Sequence, residues 1–290
     1  MGLSYTDVRQ MLRAHRDGAA FATLLMIGRQ NLHLREHEIA ALGDEFAIDL
    51  TSAAKPLGVY ADGFLHEALG TARVDSMDAS PYEGATIVHD LNQPVGPEFH
   101  AVYDAVIDGG SLEHIFNVPV ALANLMRMAK VGGRVYSLWP ANNMCGHGFF
   151  QFSPEFAYRV FNEQHGFQAE RVALVESRFP SVEISTRRLV LDVTDPDVLG
   201  HRALRMSARP ALLMVQAHKL RHLEEPFAVP PQQSDYGARW TAHPQASSDV
   251  GEADPSRAAW LPPRMKRVLV GGREIMRASR FNRRVYTRSS

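Results

Sequence analysis

The sequence has a single cysteine, Cys145, among its 290 residues, so no internal disulfide can form. This scarcity favours a reducing compartment, and we expect the protein to be cytoplasmic. The chain also lacks the apolar run of a signal peptide and any stretch long and apolar enough to predict a membrane span. It contains no Cys-x-x-Cys pair that would indicate a zinc or iron–sulfur site.

The chain also has little net charge. Its formal charge of −1 at pH 7 predicts no nucleic acid or other polyanion as a bulk partner. Basic residues are nevertheless concentrated after Pro263, where Glu274 is the only acid. That segment could contact nucleic acid or an anionic surface, but a solvated helix or one that packs in an oligomer is the interpretation we favour. A homodimer is the expected assembly.

Short apolar runs alternate with segments of helical spacing, which predicts an α/β fold with a Rossmann-like, doubly wound parallel sheet. The predicted strands are Phe21–Gly28, Ala72–Asp78, Ala85–Asp90, Tyr103–Gly110, Gly132–Pro140, Arg171–Glu176 and Pro210–Lys219. One amphipathic helix is predicted to start near Val120 and to be stopped by Gly132 and Gly133. Residues 1–222 are predicted to form this domain, and residues 223–290 a Pro- and Gln-rich linker followed by a basic helical extension.

Three acids fall at the ends of successive predicted strands: Asp78, Asp90 and Asp108. In a doubly wound sheet, ligands bind beyond the carboxyl ends of the strands. A carboxylate after the second strand could accept hydrogen bonds from ribose hydroxyls, and one after the third could accept the amino group of adenine. Each acid could instead cap a helix or begin a turn, but three acids in equivalent positions favour a nucleotide-like ligand.

The stretches "SMDASPYEGATIVHDLN", "YDAVIDGGSLEHIFNV" and "MAKVGGRVYSLWP" together resemble the class I S-adenosylmethionine-dependent methyltransferases. The resemblance runs from about Phe21 to Lys219 and implies a seven-stranded sheet with an antiparallel last strand. It further implies S-adenosylmethionine as cofactor. The implied cofactor contacts are Gly28, Arg29, Gln30, Asp78, Ala79, Asp90, Leu91, Asp108, Gly109 and Gly110, with Asp108 to Gly110 below the methionine part.

The first loop departs from the family pattern of one acid and three glycines. In "LLMIGRQNLHL" only Gly28 is kept, while Met26, Gln30 and Leu32 stand in the other places. Missing glycines limit how closely the backbone can approach a ligand. This departure leaves open a methyltransferase-like protein that binds or assembles without catalysis. It also disfavours a dinucleotide-dependent oxidoreductase, which needs phosphate-binding glycines. The long distance from this loop to Asp78 predicts an extra segment in Asn31–Ala61.

More narrowly, "IDGGSLEHIFNVP", "PANNMCGHGFFQFSPEFAYRVF" and "PPQQSDYGARW" resemble a subgroup associated with polysaccharide biosynthesis, which includes a mycobacterial mannoside 1-O-methyltransferase. This resemblance implies O-methylation of a sugar or saccharide hydroxyl. The acceptor is expected to be a small molecule or an oligosaccharide. The absence of an Asn-Pro-Pro-Tyr-type motif and of a Pro-Cys pair also favours oxygen over the nitrogen or carbon of a base.

His147 lies between two glycines in "NNMCGHGFFQFSP", after the fifth predicted strand. Methyl transfer to a hydroxyl requires a group that removes its proton, and histidine suits this at neutral pH. We therefore expect His147 to be the general base, with His114 and Glu113 as further catalytic candidates; a structural role is the alternative for each. Cys145 is expected to be a small packed hydrophobe.

Candidate contacts to the acceptor are Phe149, Gln151 and Tyr236. Phe149 belongs to a run of phenylalanines that could exclude water or stack on a sugar face, or could pack into the core. A divalent ion, Mg²⁺, is a further hypothesis. Its ligands would be Asp108, Glu113, His114 and His147, although their spacing matches no metal motif.

Overall fold

A computed structural model describes residues 2–50, 59–177, 188–236, 275–276, 278–279 and 281–288. The predictions for the later part of the Pro- and Gln-rich linker and for most of the basic segment lie outside these residues. In the described ranges, no helix combines the length and the apolar character needed to cross a membrane.

The strands of the described residues are β1 (Gly2–Ser4), β2 (Thr23–Ile27), β3 (Asn31–His33), β4 (Arg73–Asp78), β5 (Ile87–Val88), β6 (Tyr103–Asp108), β7 (Ala129–Asn142), β8 (Phe167–Glu176), β9 (Leu189–Val193), β10 (Ala211–Lys219) and β11 (Tyr286–Arg288). The α-helices are α1 (Tyr5–Arg16), α2 (Glu36–Phe46), α3 (Asp62–Leu69), α4 (Val118–Met128), α5 (Pro154–Val160) and α6 (Pro196–Leu199). All seven predicted strands are therefore present.

A nine-stranded sheet has the order β11-β9-β8-β10-β7-β6-β2-β4-β5. The five strands from β7 to β5 are parallel to one another, and β10 lies antiparallel between β7 and β8. The predicted α/β class and the antiparallel last strand are confirmed. The sheet is wider than the seven strands expected, because β9 and β11 add two antiparallel strands beyond β8.

Helices cover both faces of the parallel strands. Leu24 and Met26 of β2 face a cluster that includes buried residues of α1, α2 and α3, whereas Leu25 and Ile27 face a cluster that includes α4 and α5. Side chains alternate between the faces of a strand, so a strand buried on both faces must be apolar at every position. This is why β2 is continuously apolar from Leu24 to Ile27.

The predicted helix before the fifth strand is confirmed as α4, but its predicted stop is wrong. The helix ends at Met128, Ala129 is already extended, and Gly132 and Gly133 lie within β7. A Cβ at Gly133 would meet the carbonyl oxygen of Asp104 at 2.8 Å. This glycine therefore allows β7 to approach its neighbour closely, and it does not cap a helix.

Two segments lie outside the predicted seven strands. The extra segment predicted in Asn31–Ala61 contains β3 and α2, and β3 pairs in parallel with the N-terminal β1. At the other end of the chain, Tyr286–Arg288 forms β11 and not the predicted helix. The boundary at residue 222 stays a prediction, although β11 joins the same sheet as the predicted first domain.

Candidate functional site

The carboxyl ends of β7, β6, β2, β4 and β5 lie side by side at one edge of the sheet. Asp78 and Asp108 are the last residues of β4 and β6, and the loops after β2, β5 and β7 carry Gly28, Asp90 and His147. The sheet order therefore brings the predicted residues to a common edge, as expected for a doubly wound fold. Their individual roles depend on how each side chain is held.

The first loop turns at the one glycine that it keeps. Gly28 has φ +67°, in the left-handed region that favours glycine, and its N–H donates to the carbonyl oxygen of Met77 at 2.7 Å. Gln30 follows with its side chain completely buried. The loop is thus closed tightly over the end of β4, without the later glycines.

Arg29 points away from this turn and joins three elements. Its Nε lies 3.3 Å from the carboxylate of Asp62 at the start of α3, and its Nη1 donates to the carbonyl oxygen of Glu83 at 3.2 Å. The guanidinium also lies 4.1 Å from the ring centre of Tyr60. These contacts support a structural role, in which Arg29 fixes the loop after β4 relative to the first loop.

Asp78 is the last residue of β4, and Asp90 lies in the loop that follows β5. The half-buried Asp78 accepts the N–H of Ser80 at 3.2 Å, and Ala79 between them is exposed. Asp90 is exposed and accepts both the backbone N–H and the side-chain amide of Asn92, at 2.9 and 2.8 Å. These hydrogen bonds lower the pKa of Asp90, so it is ionised at neutral pH. Both carboxylates are thus placed as acceptors at the surface of the carboxyl edge.

The loop after Asp90 is held by a residue that the sequence analysis missed, Asn124. This fully buried side chain accepts the N–H of Val95 at 3.0 Å and donates to the carbonyl oxygens of Gln93 and Leu91 at 2.8 and 3.4 Å. Leu91 is buried beneath the loop. An asparagine inside the apolar helix sequence "VPVALANLMRM" is the signal that could have identified it, since a buried amide needs partners.

Asp108 is directed into the protein. Its carboxylate is buried and accepts the indole N–H of Trp139 at 2.6 Å and the backbone N–H groups of Ser111 and Leu112 at 2.8 and 3.3 Å. Burial raises its pKa, while these hydrogen bonds oppose the shift. The structure thus places Asp108 as an internal connection between β6 and β7. It does not bring Asp108 into the cluster formed by Glu113, His114 and His147.

Glu113, His114 and His147 do come together. Nε2 of His147 lies 3.1 Å from Oε1 of Glu113, and Nε2 of His114 lies 3.9 Å from the same oxygen. The side chain of Glu113 is 1% exposed, whereas those of His147 and His114 are 36% and 46% exposed. Burial, and then the neighbouring His147, lower the pKa of His114. A buried carboxylate therefore supports two imidazoles that reach the surface.

The loop carrying His147 rests directly on Glu113. The N–H of Phe149 donates to the backbone carbonyl oxygen of Glu113 at 2.7 Å. Gly148 has φ +77°, and a Cβ there would lie 2.7 Å from both the carbonyl oxygen and Cγ of Glu113. Glycine is required at this position because a side chain would have to occupy the space of Glu113. The contact of His147 with Glu113 is thus set by the backbone.

The phenylalanines after this loop divide between two roles. Phe152 is buried 4.9 Å from the ring centre of Trp139, and Phe150 packs partly against the same core. Phe149 is 68% exposed and makes an edge-to-face pair, with ring centres 6.0 Å apart, with Phe116, which is 75% exposed. Phe149 and Phe116 therefore form an exposed aromatic pair beside Glu113 and His147.

The remaining candidates have defined contacts within the chain. Oε1 of Gln151 accepts the N–H of Met144 at 3.2 Å, which fixes its own loop. The ring centre of Tyr236 lies 5.9 Å from the guanidinium of Arg202, and the preceding Asp235 and Ser234 are hydrogen-bonded to Arg202 and Glu155. The expectation that Cys145 is packed is wrong, because its thiol is exposed.

No family model and no curated protein matches the chain. Among solved structures, 1,6-didemethyltoxoflavin-N1-methyltransferase of Burkholderia thailandensis, with S-adenosylhomocysteine bound, is 15% identical over 75% of this chain and 78% of its own, with a TM-score of 0.39. N-methyltransferase NodS of Bradyrhizobium japonicum, also with S-adenosylhomocysteine, is 13% identical over 74% and 87%, with a TM-score of 0.38. A SAM-dependent methyltransferase of Aquifex aeolicus is 12% identical over 72% and 89%, with a TM-score of 0.37. These scores are too low to carry an argument about activity.

Proposed function

We propose that the protein is an S-adenosylmethionine-dependent O-methyltransferase that acts on a hydroxyl of a sugar or saccharide. The observation that carries this proposal is the pair formed by buried Glu113 and half-exposed His147, 3.1 Å apart at the carboxyl edge of the sheet. The same edge presents the carboxylates of Asp78 and Asp90. The proposed base and the proposed nucleoside contacts thus share one edge of a sheet that has the predicted antiparallel strand.

The nucleoside part of the cofactor fits the residues at this edge. Asp78 has a half-buried carboxylate suited to ribose hydroxyls, and Asp90 has an exposed one suited to an adenine amino group, with buried Leu91 beside it. At the amino-acid end the fit differs from the family pattern. There Asp108 is engaged internally, and a buried amide from Gln30 takes its place beside Gly109.

The proton chemistry follows from the surroundings of His147. An ionised Glu113 can only accept, so Nε2–H of His147 donates to it and the ring keeps its lone pair at Nδ1. Nδ1 is therefore the atom that takes the proton of the acceptor hydroxyl. The bound cofactor would supply a methyl group activated by positive sulfur. Glu113 holds the ring and stabilises the imidazolium that forms.

The exposed pair of Phe149 and Phe116 supports a saccharide acceptor. Aromatic rings offer a flat apolar surface on which the face of a sugar can stack. The backbone of Phe149 is bonded to Glu113, so this surface is fixed relative to His147. Gln151 and Tyr236 are further proposed contacts to the acceptor.

A magnesium ion does not fit the donors that the structure assembles. Asp108 is engaged by Trp139, which leaves one carboxylate and two imidazoles in the cluster. Mg²⁺ prefers oxygen ligands, and this donor set is closer to one for a transition metal. Magnesium therefore has no part in the proposed transfer. A cytoplasmic location and a homodimer stay predictions of the sequence.

Calorimetric titration with S-adenosylmethionine, S-adenosylhomocysteine and NADH tests the cofactor. Binding of the first two alone supports the proposal, whereas binding of none favours a non-catalytic, methyltransferase-like protein. With a saccharide acceptor, His147→Ala should bind cofactor normally and lose transfer by about 10²- to 10⁴-fold. The control is His218→Ala, which removes a histidine of β10 that lies 3.8 Å from Glu170 of β8 and should leave transfer unchanged. Retained transfer in His147→Ala would refute the assignment of the base.

A further inference from the structure

Gln30 has an unusual environment for a polar side chain. It is completely buried, and its Nε2 donates to the carbonyl oxygens of Ile27 and Gly28 at 2.5 and 3.3 Å. Two carbonyl acceptors on one side of the amide require that side to be nitrogen, which fixes the direction of the oxygen. Oε1 has no hydrogen-bond partner.

This oxygen is directed at the start of the loop after β6. A Cβ on Gly109 would lie 2.5 Å from Oε1 and 2.9 Å from Cδ of Gln30, and 3.4 Å from Cδ2 of Leu3. Gly109 thus leaves room for the amide to lie against its backbone. Leu3, from β1, is buried beside it. The oxygen is therefore enclosed between the first loop, Gly109 and the N-terminal strand.

A buried oxygen without a partner costs free energy, so such a group is expected to have a donor in its working state. The position of the oxygen, between the loops after β2 and β6, is where a doubly wound sheet holds the end of a ligand that lies across its carboxyl edge. The amino-acid part of the proposed cofactor carries an ammonium group with three N–H donors. A charged donor forms the stronger kind of hydrogen bond with an amide oxygen.

We propose that Oε1 of Gln30 accepts a hydrogen bond from the α-ammonium of the cofactor's methionine part, an inference that rests on the proposed function. Gln30 and Leu32 replace the glycines that would let the loop backbone approach the ligand closely. In this chain the side-chain amide of Gln30 makes the contact at this end of the site instead. Leu3 closes the same end against water. Asp108 has no part in this contact, because its oxygens are bonded within the protein.

Two probes separate the amino-acid end from the nucleoside end. S-adenosylhomocysteine carries the ammonium, whereas 5′-methylthioadenosine has the same nucleoside and sulfur without it. Gln30→Leu should weaken the binding of S-adenosylhomocysteine by roughly 10- to 100-fold in calorimetry and should leave the affinity for 5′-methylthioadenosine within about twofold of the wild-type value. Wild-type protein should prefer S-adenosylhomocysteine over 5′-methylthioadenosine by a factor of similar size. Gln216→Leu, which removes a side-chain amide from β10, is the matched control and should change neither affinity.

Gly109→Ala tests the same contact with the glutamine retained. Its Cβ would displace only the flexible end of Gln30, so the fold should be kept. The affinity for S-adenosylhomocysteine should again fall by more than the affinity for 5′-methylthioadenosine. If wild-type protein binds both probes equally, or if either variant weakens both probes alike, the role of Gln30 is refuted while the proposed function stands. If wild-type protein binds neither probe, the proposed function and this inference both fail.

Discussion

The two glycines beside His147 predict opposite responses to the same substitution. Gly148→Ala places a methyl group 2.7 Å from the carbonyl oxygen of Glu113, on a residue with φ +77°. Gly146→Ala places one where no atom lies within 4 Å, on a residue without a positive φ. We expect Gly148→Ala to destabilise the protein and Gly146→Ala to leave it as stable or slightly more stable.

The magnitude for Gly148→Ala follows from two costs. A left-handed conformation costs alanine about 1–2 kcal/mol. Relief of the close contact must move the loop away from Glu113, which stretches the 2.7 Å hydrogen bond from the N–H of Phe149, worth about 0.5–1.5 kcal/mol. The free energy of unfolding should therefore fall by about 1.5–3.5 kcal/mol.

Urea denaturation of both variants measures the effect. Replacing glycine by alanine also lowers the entropy of the unfolded chain, but this effect is nearly the same at both positions and cancels in the comparison. A difference between the two variants below about 0.5 kcal/mol, which is the size of an ordinary surface substitution, would refute the seating of the loop on Glu113.

Two further substitutions test other parts of the site. Asp108→Asn should lower the free energy of unfolding by about 1–3 kcal/mol in urea denaturation, because an amide NH₂ would face the N–H of Trp139 or Ser111; unchanged stability would contradict the internal role of Asp108. The lowered pKa of His114, beside His147, means that the unfolded chain takes up a proton there before the folded chain does as pH falls below about 6.5. Wild-type stability should therefore fall between about pH 7.5 and about pH 5.5 by more than that of His114→Gln in thermal denaturation, and equal losses would contradict this sign.

Much of the fold could be predicted because strands that are buried on both faces of a sheet appear in the sequence as runs of consecutive apolar residues. The run from Leu24 to Ile27 is buried on both faces and apolar throughout, and the same constraint marks shorter apolar runs within β6, β7 and β10. The end of α4 left no comparable trace. Gly132 and Gly133 follow that helix closely, but Gly133 serves the approach of β7 to β6, which depends on a contact between residues far apart in the chain.

The site was predictable in position but not in orientation. Acids after parallel strands must meet at one edge, so the placement of Asp78 and Asp90 followed from the order of elements. Whether a carboxylate faces a ligand or the interior depends on its neighbours in space. Asp108 faces Trp139 on the adjacent strand β7. Gln30, which follows β2, faces Gly109, which follows the adjacent strand β6. Spacing along the chain carries no information on either contact.

The pairing of β11 with β9 affects the risk of aggregation while the chain is synthesised and folds. The free edge of a strand offers unpaired N–H and C=O groups to other chains, which promotes aggregation. During synthesis, β9 is complete well before Tyr286–Arg288 exists to cover it. In that interval, and after any cleavage that removes those residues, β9 presents a bare edge next to the apolar side chains of Leu191 and Val193. We therefore expect β11 to reduce self-association through the edge of β9.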